Sequence, residues 1–133
     1  MEESKHVFKL KVDHKSKADK VTTPYLYSDV DETLVCWPKR PLKSRKTAVK
    51  VKFLGTTYYL IPHLKNIETL KQAKANGNKI VVWSAGGDKW ATEVIKALKL
   101  THIPDYILSK PTSIIDDLKD ANEYVKGNLW KEL

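Results

Sequence analysis

Three carboxylates, Asp29, Asp31 and Glu32, fall within four positions at the end of the short stretch Tyr25-Leu26-Tyr27-Ser28. Like charges this close are unfavourable unless a cation neutralises them or one of them holds a proton. Strand geometry sends Asp29 and Asp31 to one side and Val30 to the other. A second acidic pair, Asp116-Asp117, follows Ser113-Ile114-Ile115. Between the two acidic clusters stand Ser84, with Ala85-Gly86-Gly87 behind it, and Lys110. Oxygen ligands with open positions suit Mg²⁺, which keeps waters and shares its shell with phosphate oxygens; Asp29, Asp31, Asp116 and Asp117 are the candidate metal ligands. Ser84 and the N–H groups of the Ala85-Gly86-Gly87 loop can donate to phosphate oxygens. Lys110 balances the remaining negative charge. In such a site one aspartate can be a nucleophile and a second carboxylate the acid/base. The chemistry is phosphoryl transfer.

These residues act together only if the chain gathers them. Tyr25 to Val30 reads as a short strand. Lys79 to Ser84 is a continuous apolar run typical of a strand buried on both faces. "DYILS" and "SIID" read as two more short strands. Pro62 opens a helix carrying Leu64, Ile67 and Leu70, stopped by Asn76-Gly77. Asp88 is a good N-cap for a second helix with Trp90, Val94, Ile95 and Leu98 on its apolar face. A last helix is expected from about Asp117 toward Tyr124. Alternating strands and crossover helices specify an α/β fold with a parallel sheet. Ligands of such sheets collect at the carboxyl ends of the strands, near a switch in strand order. All the candidate residues lie just past predicted strands. Val49, Val51 and Phe53 alternate with lysines, turn near Gly55 and continue in β-formers, which predicts a hairpin. Near the start, Phe8, Leu10 and Val12 alternate with lysines as a half-buried strand, and a polar loop follows, over 1–20.

At 133 residues the chain is expected to form one domain, 1–133, and no apolar run reaches the roughly 20 residues that cross a bilayer. The charged N-terminus lacks a secretory signal, and the single Cys36 excludes an internal disulfide, so no membrane partner and a cytoplasmic location are expected. His6, His14, His63 and His102 show no metal-ligand spacing. The net charge of +8 is unevenly placed. From Thr33 to Ile67 there is no acidic residue but eight cations: Lys39, Arg40, Lys43, Arg45, Lys46, Lys50, Lys52 and Lys65. The remaining basic residues balance the 16 acidic ones, so the whole excess follows the first carboxylate cluster. Basic runs are commonly solvated faces; beside a phosphate site the same run can funnel an anion. Trp37 and Tyr58 or Tyr59 could stack on a base, although aromatic hairpin residues usually pack.

Asp29-Val30-Asp31-Glu32-Thr33-Leu34 resembles the first motif of the haloacid dehalogenase-like superfamily, DxDxT. Ser84 after Val81-Val82-Trp83 is similar to its second motif, Lys110 to its third and Ile114-Ile115-Asp116-Asp117 to its fourth. The four elements occur in order over residues 25 to 117. The resemblance implies a compact Rossmann-like parallel sheet flanked by helices, with a basic loop and β-hairpin flap, 34–61, inserted after the first core strand. It implies Asp29 as nucleophile, Asp31 as general acid/base, and Thr33 and Ser84 as phosphate-side hydrogen-bonders. It further implies Asp117 as the better-aligned Mg²⁺ ligand with Asp116 in support, Asp29 coordinating by side chain and Asp31 by backbone carbonyl. Lys110 lies only six positions before Asp116, where larger members place a helix. The expected activity is Mg²⁺-dependent hydrolysis of a phosphate monoester through an aspartyl-phosphate. A minimal cap and the basic flap favour a nucleotide, a nucleic-acid end or another polyanion as substrate. The competing readings are a non-catalytic nucleic-acid-binding module on the same scaffold, a phosphoprotein phosphatase, and phosphotransfer to an acceptor other than water.

Overall fold

The computed structural model describes residues 23–115 and residue 117. The expected strand and loop over 1–20, Asp116, and the final helix beyond Asp117 lie outside the described residues. Eight elements follow in order: β1 (Tyr25–Ser28), β2 (Val35–Cys36), β3 (Val49–Phe53), β4 (Thr56–Pro62), α1 (Leu64–Ala75), β5 (Lys79–Ser84), α2 (Asp88–Ala97) and β6 (Tyr106–Ser109). They form an α/β structure with a parallel sheet of order β1-β5-β6 and an antiparallel sheet of order β2-β4-β3.

Parallel pairing aligns Ser28 with Val82 and Ser84 with Ser109 at the carboxyl edge. The register splits the sheet into two faces. Leu26, Ile80, Val82 and Ile107 meet Ile67 and Leu70 of α1 and Val94 and Ile95 of α2 in one apolar cluster. Tyr25, Tyr27, Tyr106 and Leu108 line the other face and are about half exposed, with Tyr27 edge-on to Trp83 at 4.9 Å. Both described helices therefore pack on one face of the parallel sheet. The same cluster takes in Val51 and Leu60 from the hairpin and Val30, Leu34 and Val35 from the segment joining the two sheets.

The hairpin forms as its alternation predicts. Val49 pairs with Leu60 and Phe53 with Thr56, across a two-residue turn with positive φ at both Leu54 (49°) and Gly55 (79°). That geometry matches the right-handed twist of the flanking strands. β2 is an addition: Leu34 and Val35 are 1% and 0% exposed, so the chain after Thr33 continues into the core rather than looping out.

Three local readings change. Pro62 does not open α1; it closes β4 opposite Val35, and the Nδ1 of His63 accepts from the N–H of Asn66 as the helix cap. Leu64 consequently starts the helix and is 64% exposed, leaving Ile67 and Leu70 as the buried pair. Asp88 is not the cap of α2 but its first residue. The cap is Gly87, at φ 105° and ψ 161°, a region open only to glycine. Third, Ser113 to Ile115 form no strand, and Ile115 is fully exposed; the parallel sheet ends at β1 on one side and at β6 on the other.

Asp105, before β6, ties the amino ends of the strands together. It accepts from the Ile80 N–H at 2.8 Å and from Lys74 Nζ at 3.0 Å, with Lys79 Nζ at 3.6 Å. The Ile80 N–H, then the Lys74 hydrogen bond, hold its carboxyl below the ordinary 3.8 against the opposing effect of burial, and the charges of Lys74 and Lys79 add to the lowering. A depressed folded-state pKa contributes stability present above the unfolded value and lost as pH falls through the folded one. Asp105→Asn is therefore expected to destabilise the protein at pH 7 and to narrow its gap to wild type below pH 3.8, read by urea unfolding across that range.

No described helix is long and apolar enough to cross a membrane.

Candidate active site

The site begins where β1 stops. After Ser28 the chain leaves the sheet and wraps once around the carbonyl of Val30, which accepts from the N–H groups of Thr33 (3.2 Å), Leu34 (2.8 Å) and Val35 (3.3 Å). Val30 is fully buried, so this tight turn is anchored from inside. Asn66 of α1 braces it from outside, its Nδ2 donating to the Thr33 carbonyl at 3.0 Å. Glu32 sits at φ 61°, and its carboxylate accepts from the Trp37 N–H at 2.8 Å. Glu32 is thus a clasp for the turn into β2, which accounts for the third carboxylate of the cluster.

The wrap separates the surroundings of the two aspartates. Asp29 is over a third exposed and faces Lys110, whose Nζ lies 3.4 Å from Oδ1 while its side chain is only 7% exposed. The Thr33 hydroxyl lies 3.4 Å from Asp29 Oδ2, a long contact that orients more than it binds. Lys110 is fixed at both ends. Its N–H donates to the Ser84 carbonyl at 2.9 Å, and its ammonium sits 5.9 Å from the centre of the Trp83 ring. Three predicted strand ends, carrying Asp29, Ser84 and Lys110, are brought together.

Asp31 turns toward the hairpin and α2. Its Oδ1 accepts from two indoles, Trp90 Nε1 at 3.1 Å and Trp37 Nε1 at 3.2 Å. The rings stack with centroids 5.9 Å apart, and Tyr58 packs edge-on against both. Burial is the largest influence on the Asp31 carboxyl and raises its pKa; the indole N–H groups pull it down, and the charges of Asp29 and Glu32 push it up again. The net displacement is above 3.8, toward the protonated form. Folding therefore disfavours ionised Asp31, and stability declines as pH rises from 3.8 through the folded-state value. Asp31→Asn, which keeps an oxygen for the indoles, is expected to be more stable than wild type at pH 7, with the difference closing below pH 3.8. Paired urea melts at the two ends of that range check it.

Ser84 is fully buried, and its Oγ accepts from the Gly86 N–H at 3.0 Å, shaping the loop that also carries Ala85. A side chain at Gly86 would meet Trp90 Cδ1 at 3.1 Å. Glycine there lets the loop lie against the indole that holds Asp31. Ser109, at the end of β6, closes the loop from the far side: its Oγ accepts from the Asp88 N–H at 2.9 Å and donates to Asp88 Oδ1 at 3.3 Å. The α2 N-terminus is thereby locked to the edge of the sheet.

Among the described residues no three His, Cys, Asp or Glu side chains gather into a metal-binding group. Asp117 does not join Asp29 and Asp31 in one, and Asp116 lies outside the described residues. The donor chemistry at Asp29 nevertheless suits Mg²⁺, which is commonly held by one or two carboxylates plus waters and substrate phosphate.

The sequence reading missed the indole pair. Trp90 reads as core, which it is at 6% exposed, and its spacing to Asp31 carries no sign that the N–H reaches the carboxylate. Only the position of Trp37, six residues past Asp31 in a segment of β-formers, could have hinted that the chain folds back over it.

No family model, curated protein or solved structure matches the chain.

Proposed function

We propose that the protein is a phosphatase that hydrolyses a phosphate monoester with Asp29 as nucleophile, on a haloacid dehalogenase-like Rossmann scaffold. One observation carries this reading. An accessible carboxylate paired with a nearly buried lysine stands beside a second carboxyl whose burial favours the protonated form. A nucleophile and an acid need those two different environments.

Asp29 attacks phosphorus, the ester P–O bond breaks, and the departing oxygen takes the proton held on Asp31. Asp31, now ionised and kept in place by two indole N–H groups, accepts a proton from water as that water attacks the aspartyl-phosphate. Phosphate leaves and Asp29 is regenerated. Lys110 offsets the growing charge on the phosphoryl oxygens, while the Gly86 and Gly87 N–H groups stay engaged inside the loop, with Ser84 Oγ and the Ser84 carbonyl, and hold its shape beside the site. Mg²⁺ would be held by Asp29 and the Asp31 carbonyl and would supply further charge neutralisation.

The test is phosphate release from an aryl phosphate, with Mg²⁺ and with a chelator. Turnover that is lost on chelation and restored by Mg²⁺ is the expected result. Full activity in chelator would overturn the metal assignment, and failure to release phosphate from aryl, nucleotide and oligonucleotide phosphates alike would overturn the enzyme.

A further inference from the structure

The basic excess of the flap is not evenly spread in space. An open cleft of about 450 Å³ runs along the loop that follows β2, lined by Lys39, Arg40 and Arg45, by Tyr59 of β4, and by the apolar Pro38 and Leu42. The guanidinium carbon of Arg45 sits over the Tyr59 ring, 4.0 Å from its centre. Stacking of this kind fixes a guanidinium while leaving its in-plane N–H donors free to fork onto phosphate oxygens. Among the described residues no carboxylate pairs with Lys39, Arg40 or Arg45. Among the described residues, then, nothing compensates the cleft's three cations.

Its position adds to its chemistry. Pro38, at one end, directly follows Trp37, whose indole bonds Asp31 and whose surface is 41% exposed. A chain lying in the cleft thus passes the exposed part of Trp37 on its way to the aspartates. Cations that track a backbone, joined to aromatic faces without a directional base-reading group, make up a single-strand nucleic-acid groove. The volume is that of a small-ligand cleft, and open sides let a longer chain run through.

We infer that this cleft binds the phosphodiester backbone of single-stranded nucleic acid, one end of which reaches Asp29. The inference rests on the phosphatase reading for what happens to that end, but not for the binding itself. Lys39, Arg40 and Arg45 contact successive backbone phosphates, Tyr59 holds Arg45, and Trp37 stacks on the base nearest the site.

The probe is a fluorescein-labelled single-stranded decanucleotide carrying a terminal phosphate, titrated with Asp29→Asn protein by anisotropy at several salt concentrations. Removing the three cleft cations (K39A/R40A/R45A) is expected to weaken binding at least tenfold and to lower the slope of log K against log salt by about 2, near 0.7 for each phosphate contact on a single strand. Removing two cations outside the cleft, Lys52 of β3 and Lys65 of α1 (K52A/K65A), is expected to cost less than threefold. Arg45→Lys keeps the charge but loses the fork, so it should weaken binding several-fold. In the active protein, kcat/KM of the triple variant should fall at least tenfold further for the phosphorylated decanucleotide than for an aryl phosphate. Equal losses in the two multiple variants would overturn the cleft in favour of diffuse charge. An acidic phosphopeptide bound as tightly, with the same variant dependence, would overturn the nucleic-acid assignment. Aryl-phosphate turnover without oligonucleotide binding would sink the cleft and spare the phosphatase; cleft-dependent binding without turnover of any phosphate would do the reverse.

Discussion

Replacing Asp29 with asparagine is expected to lower kcat for phosphate release by roughly 10⁴-fold or more, the scale on which removing a covalent nucleophile acts. Asparagine has nearly the same shape and keeps an oxygen for the Thr33 hydroxyl, so the loop around Val30 should persist. What it cannot do is attack phosphorus or pair with Lys110. Leaving that ammonium, only 7% exposed, without its partner is expected to cost about 1–2 kcal/mol, softened because Asp29 itself is over a third exposed. A urea melt beside the assay therefore separates lost chemistry from lost fold. A folded variant that retains Mg²⁺-dependent turnover would require another nucleophile. A folded, inactive variant that still binds substrate supports Asp29 as the attacking group.

The second large effect falls on Trp90. Its ring is 6% exposed and packs against Trp37, Phe53 and Tyr58, joining α2 to the hairpin. Trp90→Ala empties that junction at a cost of about 3–5 kcal/mol. Set against the 5–15 kcal/mol by which small proteins are usually stable, that is enough to shift unfolding into mild denaturant. Trp90→Phe is the sharper experiment, because it keeps most of the packing and deletes the N–H that reaches Asp31 at 3.1 Å. Loss of a donor to the ionised form raises the Asp31 pKa further. The limb of the pH–rate profile governed by Asp31 should accordingly move to higher pH in the phenylalanine variant. An unmoved profile with reduced stability would reduce Trp90 to packing alone.

Trp90 also shows where reading from residues alone reaches its end. Local pattern carried a great deal. The continuous apolar run from Lys79 to Ser84, the alternation from Val49 to Phe53 and the helical spacing of Ile67 with Leu70 each determine an element, because period and propensity act within a few residues. Parallel connectivity then follows from the order of elements, and with it the meeting of Asp29, Ser84 and Lys110 at one edge. Element boundaries were harder. Pro62 reads as a helix start, but pairing with Val35 holds it in β4, and Ser113 to Ile115 have strand-like residues yet form no strand. Pro62 takes its place from a partner strand 27 positions back in the chain.

The two aspartates mark the same division. That they sit beside each other, one residue apart past a strand, is a property of the sequence and points to phosphoryl chemistry through residue type alone. That they face different surroundings is not. Asp29 meets Lys110 from the end of β6, and Asp31 meets indoles from β2's far side and from α2, 59 positions away in the case of Trp90. A carboxyl's readiness to hold a proton depends on burial and on donors within hydrogen-bond reach. Those are set by which elements pack together, so the tertiary structure alone decided which aspartate has the environment of an acid.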